Sequence, residues 1–102
     1  MPDKPDKEEA AYDQVADKRL LPGEDSSSQY PDDALHWASV YRELWDFKNR
    51  AIDRMVIDAV GMGEVARQEI EKTDLVVLRA ERDRFQRRAQ FWRERYRKLG
   101  KC

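Results

Sequence analysis

The sequence predicts an all-α protein built around a long antiparallel helical hairpin with coiled-coil-like packing. Gly and Pro number only four each in 102 residues, which is too few for a turn-rich β-fold. Apolar residues recur at helical spacing over two long stretches, residues 32–59 and residues 64–99. Only Gly61-Met62-Gly63 separates these stretches, so the two helices must lie antiparallel.

Composition limits the class of protein further. Charged residues make up 40% of the chain, against roughly 25% in typical globular domains. No apolar run approaches the roughly 18 residues of a membrane span, and the start of the chain has no apolar core of a secretory signal. A single cysteine, Cys102, cannot form an internal disulfide. We therefore expect a cytoplasmic protein that does not enter a membrane.

Residues 1–31 are predicted to form an acidic, largely flexible N-terminal segment. Within it, residues 8–20 place apolar side chains at helical spacing and are predicted to form a short helix that ends at Pro22-Gly23. The chain before this helix is predicted to be a disordered acidic tail, because it has nothing apolar to bury. Residues 32–102 make up the helical hairpin domain.

The first long helix is predicted to begin at Asp32-Asp33, because acidic side chains suit the positive end of a helix dipole. The second is predicted to run without interruption from Glu64 to Leu99, since it contains no internal Gly or Pro. Its apolar stripe shifts around Val77-Leu78. Either a local change in the heptad repeat or two different packing neighbours would explain that shift.

Gly61 and Gly63 are predicted to form the hairpin turn, because glycine tolerates a positive φ. Folding the chain about Met62 brings Lys48, in the middle of the apolar face of the first helix, within one turn of Asp74. A buried ammonium needs a partner, so one interpretation is a Lys48–Asp74 contact between the helices. In the alternative, Lys48 extends its ammonium group to solvent.

The same folding leaves the last turns of the second helix without a partner, and an apolar end of this kind is typical of an interaction surface. Arg88 and Arg95 flank its apolar row and are predicted to select an acidic partner. The predicted partner-binding residues are Phe85, Arg88, Trp92, Arg95, Tyr96 and Leu99. A second copy of the chain could also pack there, so a homodimeric helical bundle is predicted.

Charge is distributed unevenly along the chain. Residues 1–33 carry a net charge of −6, residues 34–63 are neutral, and residues 64–102 carry +5. The acidic N-terminal segment could therefore cover the basic end of the second helix until a partner displaces it. Under that hypothesis, deletion of residues 1–31 tightens partner binding and increases self-association.

The sequence contains no motif for catalysis or for a cofactor. His36, the only histidine, has no second His or paired Cys at metal-ligand spacing, so no metal site is predicted. The predicted function is that of a non-enzymatic protein–protein interaction module, such as an adaptor, assembly factor or regulator. The alternative is a nucleic-acid-binding regulator that uses the basic residues within 79–101, among which aromatic side chains are interleaved.

Overall fold

The computed structural model describes residues 19–100, which form three helices and contain no strand. The helices are α1 (Pro31–Val60), α2 (Glu64–Lys72) and α3 (Asp74–Gly100). The predicted all-α class is therefore confirmed. The predicted acidic tail, almost all of the predicted short helix at residues 8–20, and Cys102 lie outside the described residues. Within the described part, none of the helices is long and apolar enough to cross a membrane.

Helix α1 begins and ends close to the predicted positions. Pro31 occupies the first helical turn, where its missing N–H costs nothing, and Asp32 and Asp33 follow it. The helix ends at Gly61, whose backbone N–H donates to the carbonyl oxygen of Asp58 at 3.2 Å. Most of the α1 side chains that contact α3 belong to the apolar face of α1.

The conformation predicted for Gly61 and Gly63 is wrong, although both residues do lie at helix ends. Gly61 caps α1 with a φ of −83°, and Gly63 precedes α2 with a φ of −65°. Neither residue uses the left-handed region that favours glycine. Among the described residues only Gly23 does so, with a φ of 84°.

The prediction of one continuous second helix is also wrong, because the chain breaks at Thr73. This residue has a φ of −114° and a ψ of −81°, outside the helical region. Its hydroxyl and its backbone N–H both donate to the carbonyl oxygen of Glu69, at 2.7 and 3.1 Å. A threonine hydroxyl that bonds backward in this way competes with the helical ladder. The shift in the apolar stripe predicted near Val77 therefore marks a break four residues earlier.

Helices α1 and α3 pack side by side with opposite chain directions. Tyr41 of α1 lies against Phe85 of α3, with 6.0 Å between ring centroids. One end of the molecule is thus built from the start of α1 and the end of α3, and the other from residues 56–79. The hairpin as predicted, its coiled-coil packing and the dimer remain predictions.

Lys48 pairs with Glu81, not with Asp74 as the sequence suggested. The Lys48 Nζ lies 2.8 Å from Oε1 of Glu81, and each side chain is only 20% exposed. Folding about Met62 pairs residue 41 with residue 83, whereas Tyr41 lies against Phe85, so α1 and α3 are shifted by about two residues from that alignment. The long side chains of Lys48 and Glu81 reach across the remaining distance.

The end of the second helix that the sequence predicted to be unpartnered is partly covered. Trp92 is fully buried, against Ala34, Ala38 and Tyr41 of α1. The two alanines allow the helices to approach closely enough to enclose an indole ring. Of the apolar end expected to be unpartnered, Trp92 is therefore part of the core, Leu99 packs partly against it and Tyr96 stays exposed.

Replacing Lys48 with methionine is expected to lower the free energy of unfolding by about 1 kcal/mol, because Glu81 then loses its charged partner in a half-buried place. Chemical denaturation measures the change. The double variant Lys48→Met/Glu81→Leu should recover the loss, since an apolar pair needs no ion-pair partner. A double variant less stable than the single one would contradict this account.

Candidate functional site

Residues 19–30 form a folded strap across the helix pair. Leu21, Pro22, Gly23 and Glu24 make a β-turn in which the Glu24 N–H donates to the Leu21 carbonyl oxygen at 2.9 Å. Pro22 at the second position and Gly23 with positive φ at the third are the residues that a type II turn requires. The turn directs the side chain of Glu24 toward the helices.

The carboxylate of Glu24 is the centre of a buried polar cluster. Its Oε2 accepts hydrogen bonds from Nη2 of Arg88 at 2.6 Å and from Nε1 of Trp92 at 2.8 Å. Its Oε1 accepts bonds from the hydroxyl of Tyr41 and, at 2.9 Å, from the backbone N–H of Leu21. The carboxylate side chain is fully buried, and it is the shared acceptor for one donor from α1 and two from α3.

These contacts keep Glu24 ionised inside the protein. Burial raises the pKa of the Glu24 carboxyl, but the hydrogen bonds from Tyr41, Arg88, Leu21 and Trp92 together outweigh it. The pKa therefore lies below the ordinary value of 4.5. Burial and the neighbouring Glu24 carboxylate raise the pKa of the Tyr41 hydroxyl to about 12, so that hydroxyl stays protonated and donates to Glu24.

Arginines on one face of α3 bind the strap at three further points. Arg84 donates to the carbonyl oxygen of Arg19 at 3.3 Å, and Arg95 donates to that of Ser28 at 3.0 Å. Arg88 also donates to the hydroxyl of Ser26 at 2.9 Å, while its guanidinium lies 4.5 Å from the ring centroid of Phe91. The strap thus runs parallel to α3, because its residue numbers rise from 19 to 28 as those of the arginines rise from 84 to 95.

The six predicted partner-binding residues divide into three groups. Phe85 and Trp92 are buried in the core. Arg88 and Arg95 are engaged by the strap of the same chain. Leu99 is half-buried against the core, whereas Tyr96 is 39% exposed. The structure therefore leaves Tyr96 as the member of the set that is most available to a partner.

A groove lies between α1 and α3 on the side away from the strap. Arg93 is nine residues from Arg84, which is two and a half helical turns, so the two side chains leave α3 in opposite directions. Two adjoining hollows that share Arg93 make up this outer groove. Its lining residues are Leu35, Ala38, Arg42 and Trp45 of α1 and Gln86, Ala89, Arg93, Tyr96 and Arg97 of α3.

The outer groove combines apolar walls with positive charge. Three of its lining residues are the arginines Arg42, Arg93 and Arg97, and no lining residue is acidic. Trp45 adds a buried indole N–H that has no hydrogen-bond acceptor among residues 19–100. A ligand that supplies carboxylates and apolar side chains would match the three arginines and the apolar walls, whereas the buried indole N–H is out of its reach.

Glu24 and the outer groove were both missed by the sequence reasoning. Glu24 stands in a Pro-, Gly- and Ser-rich stretch that has the composition of a linker. The groove had a usable signal: residues 35, 38, 42 and 45 repeat at spacings of three and four, which puts them on one face of α1. Tyr41 packs its ring in the core and supplies a polar contact to Glu24 as well.

His36 is exposed, with its ring 4.8 Å from that of Trp37. No group of three or more His, Cys, Asp or Glu side chains able to hold a metal ion occurs within the described part of the chain. Comparison with protein families, with curated proteins and with solved structures found no match for this chain.

Proposed function

We propose that this protein is a non-enzymatic protein–protein interaction module that binds an acidic, partly apolar segment of another protein at the basic, aromatic end of α3. The observation that carries this proposal is the outer groove, in which three arginines surround an apolar floor. The strap provides an example of carboxylate binding by α3 within the same molecule. Its Glu24 shows how an arginine and an indole of α3 together hold a carboxylate.

The groove suits an amphipathic helix as the bound segment. Its α1 wall presents side chains at spacings of three and four, and its α3 wall does the same with residues 86, 89, 93 and 96. A helix laid between two such walls contacts them with side chains at the same spacing. Acidic residues along that helix would meet Arg42, Arg93 and Arg97.

Nucleic acid fits the geometry less well than a protein does. Arg84 is buried, and the side chain of Arg88 is only 12% exposed, so neither offers its charge to a phosphate backbone. Arg95 is occupied by the backbone of the strap. Three of the basic residues within 79–100 are therefore withdrawn from the cationic surface that backbone-directed binding needs.

The double variant Arg42→Glu/Arg93→Glu tests the groove directly. Affinity capture from native cells is expected to lose a protein partner of the full-length chain, with binding of that partner weakened at least about tenfold. The matched control is Arg50→Glu/Arg54→Glu, which makes the same charge change at two exposed positions of α1 outside the groove. Circular dichroism checks that both variants retain their helices.

Two results would contradict the proposal. One is equal capture of the partner by the groove variant and by the control. The other is a complex between the wild-type protein and a random-sequence oligonucleotide whose affinity falls steeply with salt. The second result would favour the nucleic-acid-binding alternative.

A further inference from the structure

We infer that the end of the molecule remote from the strap is a homodimer interface, where an apolar surface packs against the same surface of a second copy of this chain. We call this the turn-end surface. It joins the last turns of α1 to the start of α2, and it consists of Val56, Ile57, Val60, Met62 and Val65. It lies at the opposite end of the molecule from the residues that sequence reasoning assigned to self-association.

The turn-end surface is apolar and open. Val60 is 77% exposed, Val65 is 76% exposed and Ile57 is 68% exposed. They are three of the four most exposed large hydrophobic residues among those described. Scattered single apolar residues on a surface are ordinary, but five within residues 56–65 at one end of a small protein mark an interaction site.

Helix α2 gives a second, independent reason for a partner at this end. None of its nine residues is buried, although the helix has an apolar and a charged face. An isolated helix of that length is marginal in water, so packing must stabilise it. The core beneath is thin, since the buried apolar side chains at this end are Ile52, Ala59 and Leu75. Packing against a second copy would add the buried apolar area that this end of the single chain lacks.

The charges around the turn-end surface identify the occupant. A hollow beside it is lined by Val56, Val60 and Leu75 together with Arg67, Glu71 and Arg79, so cations and a carboxylate share its rim. Glu64 lies 3.4 Å from Arg67 in a further exposed ion pair. A strongly acidic or strongly basic partner would meet like charges here. A second copy carries the same two arginines and two glutamates, and a twofold axis can place the arginines of one copy opposite the glutamates of the other.

Sedimentation equilibrium of the full chain tests this inference. The wild-type protein is expected to have twice the mass of the 12.1 kDa chain. Val60→Glu places a carboxylate in the apolar contact and should raise the dimer dissociation constant at least about tenfold. Val65→Glu, on α2, should do the same. Circular dichroism confirms that each variant keeps its helices, so that a loss of dimer is not a loss of fold.

Phe47→Glu is the matched control, because it also places a carboxylate at an apolar position of α1, 60% exposed, that belongs to neither the turn-end surface nor the outer groove. It should leave the dimer intact. A wild-type protein that stays a single chain up to about 1 mM overturns the inference. So does a dimer that survives both Val60→Glu and Val65→Glu, or one that Phe47→Glu dissociates to the same extent. Neither result bears on the capture of an acidic partner by the outer groove, so the two proposals fail separately.

Discussion

Replacing Glu24 with alanine is expected to lower the free energy of unfolding by about 3–5 kcal/mol, a large share of the stability of a small domain. The change removes the only carboxylate to which Arg88, Trp92 and Tyr41 all donate. Arg88 then keeps a positive charge in a place where its side chain is 12% exposed. Removal of one partner from a buried ion pair is costly, because the charge that remains has lost both its counter-charge and its water. Chemical denaturation followed by circular dichroism measures the difference.

Asp25→Ala is the control for this prediction. Asp25 is the neighbouring carboxylate, but it is exposed and bonds only to Ser27 among the described residues, so its loss should change stability little.

The pH dependence of stability is a second check on the ionised state of Glu24. The folded-state pKa of Glu24 lies below 4.5, so its contribution is complete above that pH and is lost as the pH falls through the folded-state value. The gap between wild type and Glu24→Gln should therefore narrow in acid. A gap that widened would mean that Glu24 is buried in its neutral form.

The features that the sequence could predict are those that local chemistry determines. Helix α1 follows from its acidic first turn and its glycine end, and it begins at Pro31, one residue before the predicted start. The uneven charge also predicted that the acidic N-terminal segment could cover the basic helix. Residues 19–28 do lie against Arg84, Arg88 and Arg95. Displacement of that segment by a partner stays a prediction.

The features that could not be predicted depend on contacts distant in sequence. Glu81, the partner of Lys48, lies 33 residues away along the chain, and the alignment of α1 with α3 determines which carboxylate Lys48 meets. Glu24 has the same character, since the three side-chain donors to its carboxylate lie 17 to 68 residues away along the chain. A short turn sequence cannot reveal that its one acidic residue completes a core.

Deletion of residues 1–30 is expected to have the largest effect on stability, about 4–6 kcal/mol, since it removes Glu24 together with the apolar contact of Leu21. It also uncovers the indole edge of Trp92 and the hydroxyl of Tyr41. The truncated protein should therefore unfold at lower denaturant and bind a hydrophobic dye. By the masking hypothesis it should also self-associate more strongly, which light scattering measures. Deletion of residues 1–18 leaves every strap contact described above in place and should change none of these properties.

A synthetic peptide of residues 19–30 separates loss of the strap from general damage to the helices. Added to the protein that lacks residues 1–30, it should restore part of the lost stability, because the strap binds α3 through side-chain and backbone hydrogen bonds that a separate peptide can also make. The same peptide with Glu24→Ala should fail, since Arg88 and Trp92 then receive no carboxylate. Rescue by both peptides alike would show that Glu24 is not what holds the strap. If neither peptide reverses the effect of truncation, the helices cannot keep their groove without the strap. A partner could not then displace the strap, because the protein without a bound strap would not be stably folded.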